Sequence, residues 1–480
     1  MTLIPDPGRV LLIRPPDPLQ GATLLSHTRP MNLAALAAYL RAAGLTVAIC
    51  DYEVTPYTLV HLRDLLTELR PTVVGISCTT PTIINGGRLA TEIKAFAPEI
   101  LTVVGGPHPS ALPEQTLAEF PGFDCLIYGE GEGTLLELCQ RRGDREGCAG
   151  ISGLVWRDSD QLVVNPRRPL LENLDLLPFP ARDLLPALPQ AGHSSRGFGN
   201  ELRSTEIYTS RGCPFACSFC AIQATFGRSV RFRSPASIAA ELAEIQRTAP
   251  VDHLVIADDT FTLDPQRATE ISQLIGRSGI TSWNCDTRVT SVTPQLLRTM
   301  KMNGCSKVAF GVEAGSQRIL DRIGKKIQAE QVAQAVAWAK EAGLQHIEGN
   351  FIIGADPSET VDDLQLTRRM ILDLPWTFVS VAVIVPYPGT PIYQQMRNAG
   401  QIDADASWND FVMFGRTPRW RTDHFSAVEL IALQRSLTSA FYLRPSYIAG
   451  RIATIRSLAE ARYWLVAGTA YLKWYLLNRT

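Results

Sequence analysis

The sequence predicts an α/β protein: a doubly wound parallel sheet, then a second unit of six βα repeats, then a helical C-terminal region. Three observations predict it. Residues 1–150 alternate five short apolar runs with stretches of helical periodicity. Residues 201–400 repeat that alternation six times, too few for a closed eight-stranded barrel. A proline-rich stretch, 166–200, separates the two units. Strands of a parallel sheet are buried on both faces and read as continuous apolar runs. Their crossover helices carry a stripe of period 3.6.

The elements follow in order. Val10 to Ile13 is the first strand. Leu33, Leu36, Ala37 and Leu40 mark a helix that stops at Gly44. Thr46 to Cys50 is the second strand, and Leu59, Leu62, Leu66 and Leu69 mark the next helix. Val73 to Ser77, Leu101 to Gly105 and Cys125 to Tyr128 complete the five. Residues 151–166 read as a hairpin turning at Asp158-Ser159-Asp160. With the proline-rich stretch it forms a connecting segment, 151–200. In the second unit the strands are Glu206 to Thr209, His253 to Ala257, Ser282 to Asp286, Lys307 to Gly311, His346 to Ile353 and Phe378 to Ile384. Residues 401–480 read as helical, over Gln434 to Pro445 and Tyr447 to Arg479.

Composition bounds the function. At 480 residues the chain is too long for one ordinary core. A net charge of −1 gives no electrostatic footprint for nucleic acid. Met1 to Gly8 holds three prolines or glycines and no apolar core, so no secretory signal is expected. No run reaches the length of a spanning helix. Ten cysteines without small-domain spacing suggest a reducing cytoplasm.

Three of those cysteines lie within eight residues: Cys213, Cys217 and Cys220, in Arg211-Gly212-Cys213-Pro214-Phe215-Ala216-Cys217-Ser218-Phe219-Cys220. Three thiolates on one loop can grip one face of an iron–sulfur cluster and leave one iron open. Structural zinc wants four ligands, usually as two pairs, and no His lies in the loop. The other seven, Cys50, Cys78, Cys125, Cys139, Cys148, Cys285 and Cys305, are scattered and read as small core residues.

The spacing x3 then x2, with the aromatic Phe219 before the last cysteine, resembles the signature of the radical S-adenosylmethionine (SAM) enzymes. That resemblance implies a [4Fe-4S] cluster whose open iron chelates SAM. It also implies a partial (β/α)6 barrel of the TIM type over residues 201–400. The polar residues at the strands' carboxyl ends then become SAM-binding candidates: Phe219, Asp258, Arg288, Glu313 and Ser316. An Arg and a Glu suit a zwitterion, one as a bidentate cation and the other as an acceptor. Asp258 and Asp259 also read as caps of the following helix.

Residues 1–150 are similar to the Rossmann-like cobalamin-binding domain that precedes many radical SAM cores. The similarity rests on domain order and on polar, glycine-bearing loops at the strand ends. Their candidates for cobalamin are Ser77, Thr79, Gly105, Gly106, Gly129, Glu130 and Gly131. Glycine there permits close approach of a bulky ligand. One departure stands out. The loop Arg14-Pro15-Pro16-Asp17-Pro18-Leu19-Gln20-Gly21 lacks the Asp-x-His-x-x-Gly motif that ligates cobalt from below. His27 and His108 read as surface or hydrogen-bonding residues.

The resemblance implies a reaction. An electron from a ferredoxin or flavodoxin reaches the cluster, SAM is cleaved to methionine and a 5′-deoxyadenosyl radical, and methylcobalamin donates a methyl group. The substrate is then a small molecule or lipid-like compound with an unactivated carbon. Two alternatives share the cofactors: an oxidative cyclase or rearrangement enzyme of tetrapyrrole or hopanoid biosynthesis, and a non-catalytic iron–sulfur/cobalamin sensor. A tRNA methylthiotransferase would need a basic appendage that the sequence lacks. In the last predicted helix Arg451, Arg462 and Lys473 share a face and Trp464, Tyr471 and Tyr475 the opposite one. Such a helix either packs its aromatics on the core or lies on a membrane surface. The expected location is the cytoplasm, with any membrane association carried by that helix.

Overall fold

The computed structural model describes residues 8–19, 29–141, 145–159, 161–185 and 203–455, and scattered positions beyond. Two sheets organise it, one mixed and one all parallel. The first holds β1 (Arg9–Arg14), β2 (Thr46–Asp51), β3 (Val73–Ser77), β4 (Leu101–Gly105), β5 (Cys125–Ile127), β6 (Leu154–Asp158) and β7 (Gln161–Val164). Their spatial order is β2-β1-β3-β4-β5-β6-β7. The first five are parallel, and the order reverses at β1, as in doubly wound sheets. Apolar clusters fill both faces, one around Leu11, Ile76 and Phe123, the other around Val10, Leu12 and Trp156.

The expected hairpin exists, but it is no part of a linker. β6 pairs antiparallel with β5, so the first sheet continues through residue 164 and past the expected boundary at 150. The reason is Trp156, buried against Cys125 and Leu154 in the core of the first sheet.

The second sheet holds β8 (Ser204–Ile207), β11 (His253–Ile256), β12 (Ser282–Thr287), β13 (Cys305–Glu313), β14 (His346–Ile353) and β15 (Phe378–Val383), side by side in chain order and all parallel. It is an open, six-stranded part-barrel. Between β8 and β11, a two-residue ladder joins β9 (Ser210–Arg211) to β10 (Arg231–Phe232). That ladder closes the base of the cysteine loop.

Alternation within strands sets the layers. Along β14, Ile347, Phe351 and Ile353 join the core under the helices, while half-buried Glu348 and Asn350 alternate with them. Four barrel helices begin with a capping residue followed by proline: Ser234-Pro235, Asp264-Pro265, Thr293-Pro294 and Thr390-Pro391. The hydroxyl or carboxylate accepts from the first free amides, and proline has no amide to leave unpaired. Asp264, rather than Asp258 or Asp259, therefore caps the helix Pro265–Arg277.

The C-terminal helix Ala427–Tyr442 packs on β15, with Gln434 Nε2 donating to Val381 O at 2.9 Å. The next helix, Pro445–Thr454, ends at Ile455, whose ψ of 122° is extended. The expected continuous helix from Tyr447 is thus broken after one short stretch. Trp464 stacks on Phe378 of β15, with ring centroids 5.8 Å apart. This aromatic packs on the barrel. Tyr471, Lys473 and Tyr475 lie outside the described residues, as does His27.

Candidate functional site

The cysteine loop leaves β9 through Gly212, whose φ is +92°. A Cβ there would sit 2.2 Å from Ser229 O, so only glycine lets the two ends of the loop cross. The loop is then pinned by backbone bonds from neighbouring strand-end loops. Ser218 N donates to Ile323 O at 2.9 Å, and Ser218 O accepts from Ile392 N at 3.1 Å. Gln223 Nε2 donates to Phe215 O at 2.9 Å.

Cys217 is buried; Cys213 and Cys220 are half-buried. Burial, with the neighbouring Cys217 and Cys213, pushes the Cys220 thiol up to about 11. Among the described residues no three side chains converge tightly enough for a single metal ion. All three thiols come from one short loop with no histidine among them, and three thiolates leave one iron of a four-iron cluster open. The donor set therefore fits a [4Fe-4S] cluster. The remaining seven cysteines are buried or half-buried elsewhere, as expected.

Arg288 at the end of β12 lies over the Phe215 ring of the loop, 3.6 Å from its centroid. A desolvated stack of this kind contributes about 2 kcal/mol. Arg288 also donates to Lys325 O, while its buried Nε has no partner among the described residues. That free donor beside the cysteine loop fits a carboxylate of a zwitterionic cofactor. Lys325 in turn donates to Glu313 Oε1 at 2.6 Å, both side chains being buried. Glu313 itself has φ +73°, at a register shift in β13. Sequence reading missed Lys325, because a Gly-Lys-Lys turn reads as solvated charge.

Two other SAM candidates are occupied by the protein itself. Asp258 accepts from Thr209 N at 2.6 Å, Ser210 N at 3.1 Å, Ser210 Oγ at 2.7 Å and the Thr209 hydroxyl. It is buried, and that burial raises its carboxyl above the usual range. It anchors the strand that leads into the cysteine loop. Ser316 donates to Asp363 Oδ1 at 2.5 Å and is buried too. Both polar groups are thus engaged with protein partners. Phe219 is half-buried against the barrel core.

At the carboxyl ends of the first sheet, Ser77 is half-buried and Thr79 exposed. Ser77 Oγ accepts from Asn32 Nδ2 at 2.9 Å. A Cβ on Gly105 would make only ordinary contact, with Ile127 O at 3.7 Å, while one on Gly129 would meet Arg167 Nε at 3.6 Å and Thr225 O at 3.8 Å, and one on Gly131 the Leu36 side chain at 3.4 Å. This glycine-bearing rim, with few side chains of its own, suits a flat, bulky ring system such as a corrin. Gly106 is different. A Cβ there would lie 2.6 Å from Cys78 O, so its glycine serves a backbone crossing.

Glu130 also departs from expectation. Its carboxylate accepts from Arg211 Nη1 at 2.8 Å, Arg231 Nη1 and Leu171 N, so it binds protein. His108 is buried, with Nδ1 3.3 Å from Thr80 Oγ1 and its ring edge-on to Trp408 at 4.8 Å. That is the hydrogen-bonding role read from sequence.

The two strand-end surfaces face each other. The short helix Pro107–Ala111 packs on the helix Ile222–Phe226 that follows the cysteines. A Cβ on Gly389, in the loop after β15, would lie 2.9 Å from the Ala111 Cβ.

Residues 19–139 match the B12 binding domain, and residues 207–371 the radical SAM superfamily. An uncharacterized methyltransferase of Pyrococcus horikoshii is 32% identical over 442 residues, spanning 92% of this chain and 94% of the relative. This chain belongs to the cobalamin-dependent radical SAM family. It is an enzyme of that family, whose cofactors are a [4Fe-4S] cluster, SAM and cobalamin. The anaerobic magnesium-protoporphyrin IX monomethyl ester cyclase of Rubrivivax gelatinosus is 28% identical over 455 residues, 92% of this chain and 78% of the relative. The radical SAM methyltransferase TsrM of Kitasatospora setae, solved with cobalamin and a [4Fe-4S] cluster, shares the fold. Its TM-score is 0.70 at 18% identity, over 91% of this chain and 89% of that one. Among the described residues no helix is long and apolar enough to cross a membrane.

Proposed function

We propose that this radical SAM protein methylates an unactivated carbon of a small-molecule or lipid-like substrate. Cys213, Cys217 and Cys220 hold the cluster, and Arg288, Phe219 and the Glu313–Lys325 pair form the SAM pocket. Ser77, Thr79, Gly105, Gly129 and Gly131 form the rim under the corrin. When bound, the cluster with SAM supplies a 5′-deoxyadenosyl radical, and cobalamin supplies the methyl group. The chain's part is to bind, orient and exclude solvent. Arg288 presents its free Nε–H to the SAM carboxylate, and Phe215 holds that guanidinium flat. Asp258 fixes the strand entering the cysteine loop.

One observation carries the reading: the helix Pro107–Ala111 packs on the helix Ile222–Phe226. That contact supports a reading in which the glycine-bearing rim of the first sheet lies beside the cysteine loop and one substrate meets both cofactors. The electron donor is a ferredoxin or flavodoxin.

The test is anaerobic incubation of reconstituted protein with SAM and reductant. It should yield 5′-deoxyadenosine, and with substrate a product heavier by one methylene unit. Cys217→Ala should abolish cleavage, whereas Cys148→Ala and Cys305→Ala should retain it. Cleavage by Cys217→Ala would overturn the cluster assignment. The similarity to the Rubrivivax gelatinosus cyclase supports a second reading, an oxidative cyclase. It predicts 5′-deoxyadenosine without the mass gain. A protein that holds both cofactors but leaves SAM intact would instead be a sensor.

A further inference from the structure

We propose that Glu130 and Glu132 are positioning residues for the iron–sulfur loop, so that the cobalamin-binding domain sets the loop's geometry from outside the barrel. The inference rests on the functional reading above and extends it to residues that touch no cofactor.

Arg211 stands two residues before Cys213. Its guanidinium is divided between a carboxylate of the loop after β5 and one at the start of the helix Glu132–Gln140: Nη1 reaches Glu130 Oε1 at 2.8 Å, and Nη2 reaches Glu132 Oε1 at 2.6 Å. Arg231 faces Arg211 in the two-residue ladder that closes the loop. Its Nη1 lies 2.9 and 2.8 Å from the two oxygens of the same Glu130, and 2.9 Å from Leu171 O. Leu171 N completes the shell, donating to Glu130 Oε2 at 2.9 Å. One carboxylate thus holds both the strand that opens the cysteine loop and the strand that closes it.

Glu130, Glu132 and Arg231 are buried and Arg211 is nearly so, with side-chain exposures of 7%, 11%, 6% and 16%. Two cations and two anions cancel, so the set tolerates burial only while complete. From the opposite side, Asp258 holds Thr209 and Ser210. The strand before Cys213 is therefore fixed jointly, by a carboxylate of the barrel and two of the first domain. Loss of the outer anchor should tilt the loop relative to Arg288 and Phe215 without removing any cluster ligand.

The experiment uses full-length protein, reconstituted anaerobically with iron and sulfide and supplied with cobalamin. The variants are Glu130→Gln, Glu132→Gln and the two together. Iron and cobalamin content are measured, with the EPR spectrum of the reduced cluster before and after SAM, and KM and kcat for SAM cleavage. The single variants should keep wild-type iron and cobalamin. They should lose the SAM-induced change in the EPR spectrum and raise the KM for SAM about tenfold, as loss of one charge-assisted contact does. The double variant should raise the KM further than either single. Single variants with wild-type EPR response and KM would overturn the proposal, as would a double variant whose KM is no higher than that of the milder single. If the charge-changing variants do not fold, Arg211→Lys replaces them. It keeps the charge but one of the two contacts, and a wild-type KM in it overturns the proposal. Failure of the wild type to cleave SAM would fall on the functional reading instead, and the EPR comparison would still decide the positioning role.

Discussion

Lys325 Nζ meets Glu313 Oε1 at 2.6 Å, in a buried pair for which Gly311 leaves the room. A Cβ on Gly311 would lie 2.9 Å from both atoms. The pair sits one residue step from the cysteine loop, because Lys325 O is also the acceptor for Arg288. Glycine, strained glutamate and lysine act as one unit.

The first prediction follows from that unit. Lys325→Met leaves the Glu313 carboxylate buried without its cation. Breaking one side of a buried pair is destabilising by about 3–5 kcal/mol. Gly311→Ala keeps both charges but crowds them, an overpacking of about 1–3 kcal/mol. Denaturant unfolding of the apoprotein measures both. A stable Lys325→Met would show that the pair contributes little.

The second prediction separates two glycines that look alike in sequence. Gly106 has φ +107° and no room for a Cβ. Gly131 has φ −92°, and its Cβ would make ordinary contact with Leu36 at 3.4 Å. Gly106→Ala should lose about 1–2 kcal/mol from the left-handed backbone, and more from the clash with Cys78. Gly131→Ala should lose no more than about 1 kcal/mol, as at a helix N-cap. A bulkier residue at Gly131 should then remove cobalamin from a folded protein, read from the corrin spectrum and an unchanged iron content. Loss of iron together with cobalamin would show that the fold, not the rim, had failed.

These comparisons show which parts of the site are legible in a sequence. The cysteine loop is local: its three thiols and its glycine and proline announce themselves within a few residues. The parallel strands are legible for the same reason, since burial on both faces writes a continuous apolar run. Partners distant in sequence are not. Glu130 meets Arg211 across 81 residues and Arg231 across 101. Asp258 meets Thr209 across 49, and Ser316 meets Asp363 across 47. Each looks like a free strand-end group until its partner arrives. The break at Ile455 is invisible for a different reason: helical periodicity continues on both sides of it.

The last prediction concerns Trp408, which ties the C-terminal segment to the first domain. Its Nε1 donates to Glu119 Oε1 at 2.8 Å, and its ring covers His108. Burial lowers the pKa of His108 from 6.5 to about 4. The sign follows from linkage. Above pH 6.5 the imidazole is neutral in both folded and unfolded chains, and pH has no effect through it. Below 6.5 the unfolded chain takes up a proton that the folded chain refuses, so stability falls until about pH 4 and then levels. The full loss is about 3 kcal/mol, at 1.36 kcal/mol per unit. Trp408→Ala removes the cover and lets water reach the ring. Its stability at pH 7.5 should drop by about 1–3 kcal/mol, as for a partly buried aromatic. Its further loss between pH 6.5 and pH 4 should be smaller than in the parent, because the histidine can now protonate in place. Guanidinium unfolding of both proteins at about pH 7.5, 6 and 5, which spans most of that window, gives the two slopes. Parallel slopes would mean that Trp408 does not keep His108 dry, and that its contact with Glu119 is what holds the C-terminal segment in place.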